Sequence, residues 1–192
     1  CSAFYTSFEK IQAECVAGGI LTAMKILVSG SHGLVGKALT HSLTDDSHEV
    51  VRLVRRERTL GAPEVEWYPD QGRIDGAHLE GIDAVVHLAG DNIAAGRWTT
   101  QKKQIIRESR VQGTSLLSNT LASLSRPPSA FISASAIGYY GNRGDESLTE
   151  ESPPGNDFLA KVCIDWEAAT RAAVEKGIRT VHARFGVILD AR

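Results

Sequence analysis

The segment Lys25–Gly36, KILVSGSHGLVG, constrains this chain more than any other. An apolar run, Lys25–Ser29, ends in glycine, and helical spacing follows from Leu34 to Leu43. Such a run reads as a strand buried on both faces of a parallel sheet. Glycines three apart at a strand-to-helix junction suit a phosphate cradle. Gly30 permits the tight turn, Gly33 lets backbone approach a pyrophosphate, and Gly36 lets the helix pack closely on the sheet. The first helical amides then face the phosphates, where the helix dipole favours negative charge. Ser31, His32, Leu34 and Val35 complete the loop, and His32 stands within reach of phosphate. The rival P-loop requires GxxxxGK[ST]; here Ser31 lies five positions before Gly36 and Ala38 follows Lys37. A dinucleotide cradle is expected over a P-loop or a purely structural glycine turn.

The rest of the chain alternates strand and helix. Strands are expected at Glu49–Val54, Glu64–Tyr68 and Asp83–Leu88, with another beginning at Ala130–Ser133 and a last within Arg179–Leu189. A turn-rich stretch covers Pro69–Gly76. A long helix is expected from Thr100 to Leu124, stopped by Arg126-Pro127-Pro128. A second covers Phe158–Lys176, with Gly177 as its C′ residue, after a glycine- and acid-rich loop over 138–156. Repeated strand–helix–strand units predict an α/β, doubly wound parallel sheet of Rossmann type, with the ligand at the carboxyl ends of the strands.

With 192 residues, 42% of them hydrophobic, the chain suffices for one such domain, placed at 24–192. Residues 1–23 read as an extension or linker in which Phe4, Phe8, Ile11 and Cys15 share a helical face. The opening Cys1 and the first methionine at Met24 lead to the expectation of an excerpt, its C-terminal substrate domain absent. Net charge is -2, from 21 basic and 23 acidic residues, which offers no basis for nucleic acid or an anionic membrane as partner. Cys1, Cys15 and Cys163 form no metal-spaced set with the histidines, so no metal site is expected. The odd, sparse cysteine count and the absence of a secretory signal pattern make a cytoplasmic protein the expectation. Uncovered apolar sheet surface would favour self-association, so a homodimer is expected.

The second strand runs out into Arg55-Arg56, where an NAD site usually carries a carboxylate for the ribose 2′-hydroxyl. Two guanidiniums there suit a 2′-phosphate, so NADP is expected before NAD. The bland alternative is a pair of solvated charges.

The GxxGxxG spacing resembles the short-chain dehydrogenase/reductase superfamily, in its extended, epimerase-like branch. His87-Leu88-Ala89-Gly90 resembles the turn after that branch's fourth strand, beside the cofactor. Ser133-Ala134-Ser135-Ala136-Ile137-Gly138-Tyr139-Tyr140-Gly141 resembles its serine-bearing segment. With Gly96-Arg97-Trp98-Thr99 and Phe158–Cys163, these are similar to a subgroup of NAD(P)-dependent epimerase-family proteins, some labelled cell-division inhibitors. The resemblance covers residues 24–192 and implies an NADP-dependent epimerase or reductase acting on a small polar carbinol, a nucleotide sugar among the options. The alternative is an NADP(H)-binding regulatory module without catalysis.

In that superfamily a tyrosine exchanges the proton, a lysine four residues later lowers its pKa and holds the ribose, and a hydroxyl polarises the substrate oxygen. Lys161 stands at the lysine position, but four residues earlier is Asp157, so the YxxxK motif is broken. Asp157 itself, or Tyr139 or Tyr140 from the adjacent loop, would then carry the proton, or no chemistry occurs. Asp157 is also a natural helix N-cap, and the tyrosines are also packing candidates. Ser135 is the first choice for the polarising hydroxyl, with Ser133 as the alternative register. His87, on a buried strand, reads as a core histidine rather than a catalyst.

Overall fold

The computed structural model describes residues 23–189. The expected helical face of Phe4, Phe8, Ile11 and Cys15 lies outside them.

Seven strands form one sheet: β1 (Lys25–Ser29), β2 (Glu49–Val54), β3 (Glu64–Tyr68), β4 (Arg73–Ile74), β5 (Ala84–His87), β6 (Ala130–Ala136) and β7 (Arg179–Phe185). Their order is β4-β3-β2-β1-β5-β6-β7. All neighbours pair parallel except the short β4, which runs antiparallel to β3. Leu27 is in register with Val51 on one side and Val85 on the other, so β1 lies at the centre of the sheet. The order reverses at β1, because the next strand on its far side is β5. In open α/β sheets ligands bind in that crevice, beyond the carboxyl ends of β1 and β5.

The apolar runs alternate between two cores, as the strand period requires. Leu27, Leu53, Val65, Trp67, Val85 and Phe131 pack with Leu117 and Leu121 of helix α2 (Thr100–Ser123). Ile26, Val28, Val86 and Ile132 pack with Leu43 of helix α1 (Leu34–Asp45). The sheet is thus covered on both faces, which explains why its central strands read as unbroken apolar runs.

The expected single helix over 158–176 is interrupted. It divides into α3 (Phe158–Ala168) and α4 (Arg171–Glu175), separated by Ala169 and Thr170. The Thr170 hydroxyl donates to the Glu167 carbonyl at 2.7 Å and meets His182 Nε2 at 2.9 Å. A side chain that competes for helix carbonyls, and is also tied to a neighbouring strand, disrupts the helical ladder there. Gly177 closes this segment at φ +86°, as its C′ reading expects.

Candidate active site

A cleft of about 440 Å³ opens where β1 and β5 diverge. Gly30, His32, Gly33, Arg55, Arg56, Leu88, Ala89 and Gly90 line it, together with Leu53, Val54 and Trp67. The glycine loop, the end of β2 and the turn after β5 therefore meet around one space.

Two glycines of the loop are required by contact. Gly30 has φ +67°, and a Cβ there would lie 2.8 Å from the Leu88 carbonyl carbon and oxygen. A Cβ on Gly36 would lie 2.2 Å from the Gly30 carbonyl oxygen. Gly36 thus admits the helix to the loop's own backbone, rather than to the sheet as the sequence suggested. Gly33 is the N-cap of α1 and gives no side-chain hydrogen bond, and no acidic residue occupies the first turn. The first amides of an α-helix have no partner within it. The α1 N-cap, Gly33, lines the cleft and the first turn carries no acidic side chain, an arrangement suited to phosphate. Ser31 is buried, whereas His32 and Leu34 are exposed and Val35 is half-buried.

The two arginines after β2 differ. Arg55 is exposed and has no hydrogen-bond or ion-pair partner among the described residues. Arg56 is engaged: its Nη2 and Nη1 donate to Glu64 Oε1 and Oε2 at 2.7 and 3.0 Å. The Thr59 amide and Arg56 hold the Glu64 carboxyl below the usual carboxylate range, against the upward push of burial.

The turn after β5 hangs from a buried polar relay. The Leu88 and Ala89 amides donate to Ser29 Oγ at 3.0 and 3.2 Å, and Ser29 Oγ lies 2.7 Å from His87 Nδ1. His87 Nε2 lies 3.0 Å from Thr114 Oγ1, which also accepts from Trp166 Nε1 at 2.9 Å. Both ring nitrogens are therefore partnered, and His87 is fully buried with its pKa lowered to about 4 by desolvation. It is a neutral core histidine. Since Ser29 Oγ already accepts two amide protons, its own proton goes to Nδ1, which leaves Nε2–H to donate to Thr114. The sequence singled out neither Ser29 nor Thr114; Ser29 is a hydroxyl ending an apolar buried run, whereas Thr114, within Gln112-Gly113-Thr114-Ser115, carries no such local signal.

The candidates for chemistry form a second cluster at the same carboxyl edge, beyond β6. Ser135 Oγ donates to Glu167 Oε1 at 2.6 Å, and Ser133 is wholly buried, its hydroxyl directed at the Ala134 carbonyl. Arg184 donates to both Glu167 oxygens, at 2.8 and 2.9 Å, and to Tyr140 Oη at 2.8 Å. Its guanidinium lies 3.5 Å from the Tyr139 ring centroid. Burial raises the Glu167 pKa, but hydrogen bonds from Arg184 and Ser135 outweigh it and hold the carboxyl low. Tyr139 and Tyr140 thus serve as a seat for Arg184. Glu167 and Arg184 were not singled out in the sequence, because their pairing joins α3 to β7 and has no local motif.

Asp157 caps α3, accepting from the Ala160 amide at 2.8 Å with extended backbone. Lys161 is exposed, and no side-chain bond holds it among the described residues. Cys163 is buried beside Ser135 and Ala136, and burial pushes its thiol pKa up. On the other side of the cleft Asp91 Oδ2 pairs with Lys102 Nζ, and the Arg110 guanidinium donates to the Asp91 carbonyl at 3.0 Å. Trp98 stacks edge-on against Phe158, with ring centroids 5.9 Å apart. Among the described residues there is no set of three metal-ligating side chains, and no helix is long and apolar enough to cross a membrane.

Comparison with known proteins agrees with this architecture. An epimerase family protein of Mycobacterium bovis is 44% identical over 165 residues, covering 86% of this chain and 54% of that protein. The mouse epimerase family protein SDR39U1 is 34% identical, over 86% of this chain and 55% of its own length. The chain therefore spans about half the length of the curated relatives it matches. Among solved structures, a nucleoside-diphosphate sugar epimerase from Corynebacterium glutamicum superposes with a TM-score of 0.74 at 43% identity, over 88% of this chain and 35% of that one. Human SDR39U1 (isoform 2), solved with NADPH, gives a TM-score of 0.76 at 31% identity, over 88% and 56%. The model of the NAD dependent epimerase/dehydratase family matches residues 26–188. With its doubly wound sheet and glycine cleft, the chain belongs to the NAD dependent epimerase/dehydratase family.

Proposed function

We propose that this chain carries the NADP site of an epimerase- or reductase-type oxidoreductase whose substrate is a small polar carbinol of the nucleotide-sugar class. One observation carries the cofactor reading: an uncapped helix N-terminus and an Arg55 unpartnered among the described residues border one cleft at the switch point of the sheet. The amides of α1 would receive the pyrophosphate, and Arg55 the 2′-phosphate. Gly30 and Gly36 let the loop, the start of α1 and the turn after β5 close to backbone contact, which holds the cradle in shape. The bound nicotinamide supplies hydride transfer. The human relative's NADPH and the corynebacterial relative's description as a nucleoside-diphosphate sugar epimerase support cofactor and substrate class respectively.

Titration of this chain with NADPH and NADH tests the reading. NADPH should bind more tightly, and Arg55→Ala should weaken NADPH by roughly 10- to 100-fold, the worth of a charge-assisted hydrogen bond. Equal affinity for the two nucleotides would refute the preference.

A second reading, an NADP(H)-binding regulatory module, rests on the partners of the acid–base candidates. Ser135 is bonded to Glu167, Tyr140 accepts from Arg184, and Asp157 is a cap. Substrate-dependent NADPH turnover would decide for the enzyme; nucleotide binding unaffected by any sugar nucleotide would decide for the module.

A further inference from the structure

The loop over 55–63 returns from β2 to β3 and contributes both arginines to the cleft. Its fixed point is the Glu64 carboxylate, on a side chain only 5% exposed. That carboxylate accepts from Arg56 Nη1 and Nη2 and from the Thr59 amide, the last at 2.9 Å. Arg56 Nη1 also donates to the Glu57 carbonyl at 2.8 Å and to Thr59 Oγ1 at 3.3 Å. One turn further, the Arg58 amide donates to Glu66 Oε1 at 3.0 Å. The loop is thereby tied to β3 at two successive positions on one strand face, 64 and 66.

We propose that Glu64 is a positioning residue for cofactor choice: it commits Arg56 to the loop and leaves Arg55 as the member of the pair offered to the 2′-phosphate. This rests on the cofactor reading above and refines it, since the sequence presents the two arginines as equivalent. Turning Arg56 toward a phosphate would break a two-point Arg–carboxylate pair. It would also leave a buried negative charge unpaired beside an incoming anion, an unfavourable exchange. Among the described residues Arg55 has no partner to give up on binding. Its backbone is held between the end of β2 and a residue anchored by Glu64, so its approach to the cleft is set before the nucleotide arrives.

The test is a set of dissociation constants for NADPH and NADH, measured by nicotinamide fluorescence on the 192-residue chain. Arg55→Ala should abolish the preference for NADPH with NADH affinity unchanged. Glu64→Gln and Arg56→Ala should each lower the ratio of NADPH to NADH affinity by the same, smaller factor. The double variant should do no worse than either single one, because both remove one interaction. A merely structural role would weaken both nucleotides together and leave the ratio unmoved. The double variant Arg56→Met/Glu64→Gln removes both charges and serves if the single Glu64 variant does not fold. An unchanged ratio in Glu64→Gln, tighter NADPH binding by Glu64→Gln, or loss of preference in Arg56→Ala as complete as in Arg55→Ala overturns the proposal alone. A wild-type chain that binds neither nucleotide overturns it together with the cofactor reading.

Discussion

Ser135 Oγ lies 2.6 Å from Glu167 Oε1, so the hydroxyl best placed by sequence to polarise a substrate is already donating to a carboxylate. That carboxylate is also gripped at both oxygens by Arg184. The serine joins a three-residue structural knot linking β6, α3 and β7.

Glu167→Ala should therefore destabilise the fold by about 3 kcal/mol, the cost of leaving a largely buried cation unpaired, with Ser135→Ala costing about 1–2 kcal/mol. Urea unfolding measures both. The folded Glu167 carboxyl is held below its ordinary value, so its stabilisation is fully present above the unfolded carboxylate pKa. It is lost as pH falls through the folded value. Glu167→Gln should flatten stability in that acidic range; an unaltered profile would show that the pair contributes nothing.

His87 gives a second, separate pH signature. Its pKa falls from an ordinary 6.5 to about 4 on burial, so the folded state resists protonation that the unfolded chain accepts. The resulting stability is complete above pH 6.5 and declines as pH drops toward 4, by about 3 kcal/mol in all. Histidine chemical shifts followed by NMR should show the His87 imidazole neutral at pH 5.5. A resonance titrating near 6.5 for His87 would contradict the buried relay through Ser29 and Thr114.

Gly36→Ala places a methyl 2.2 Å from the Gly30 carbonyl oxygen, and backbone on both sides must move. A loss of about 3 kcal/mol of stability is expected, with nucleotide affinity falling alongside as the cradle opens. Gly33→Ala is the control, since its Cβ would meet Gly30 O at 3.3 Å without a positive φ. Thermal melts of the two variants should separate clearly, while NADPH affinity should fall in both because Gly33 also lines the cleft; equal losses of stability would remove the special role of Gly36.

Asp157 is distinguished by its conservative variant. Asp157→Ala should cost about 1 kcal/mol through loss of the cap, and Asp157→Asn should recover most of that, because the amide oxygen can still accept from Ala160. Any substrate-dependent turnover should survive Asp157→Asn. Folding intact but turnover abolished in that variant would establish Asp157 as the proton carrier.

The frame of the fold is written in local pattern. The bounds read for β1, β2 and β3 coincide with those observed, because each is an apolar run between turn residues in a sheet buried on both faces. The strand–glycine loop–helix unit was equally legible, since the positive φ of Gly30, the contact of Gly36 with Gly30 and the uncapped start of α1 are local properties. Tertiary structure decided which of the named side chains are free. Arg55 and Arg56 are neighbours with the same chemistry, and only the packing of β3 against β2 gives Arg56 its carboxylate. Ser135 and Glu167 are 32 positions apart, and Thr170 interrupts its helix while bonded to His182 on the adjoining strand. Local pattern specifies where backbone can bend and which faces avoid water. The partner of a polar side chain depends on what the fold brings within about 3 Å of it, a distance that no spacing in the sequence encodes.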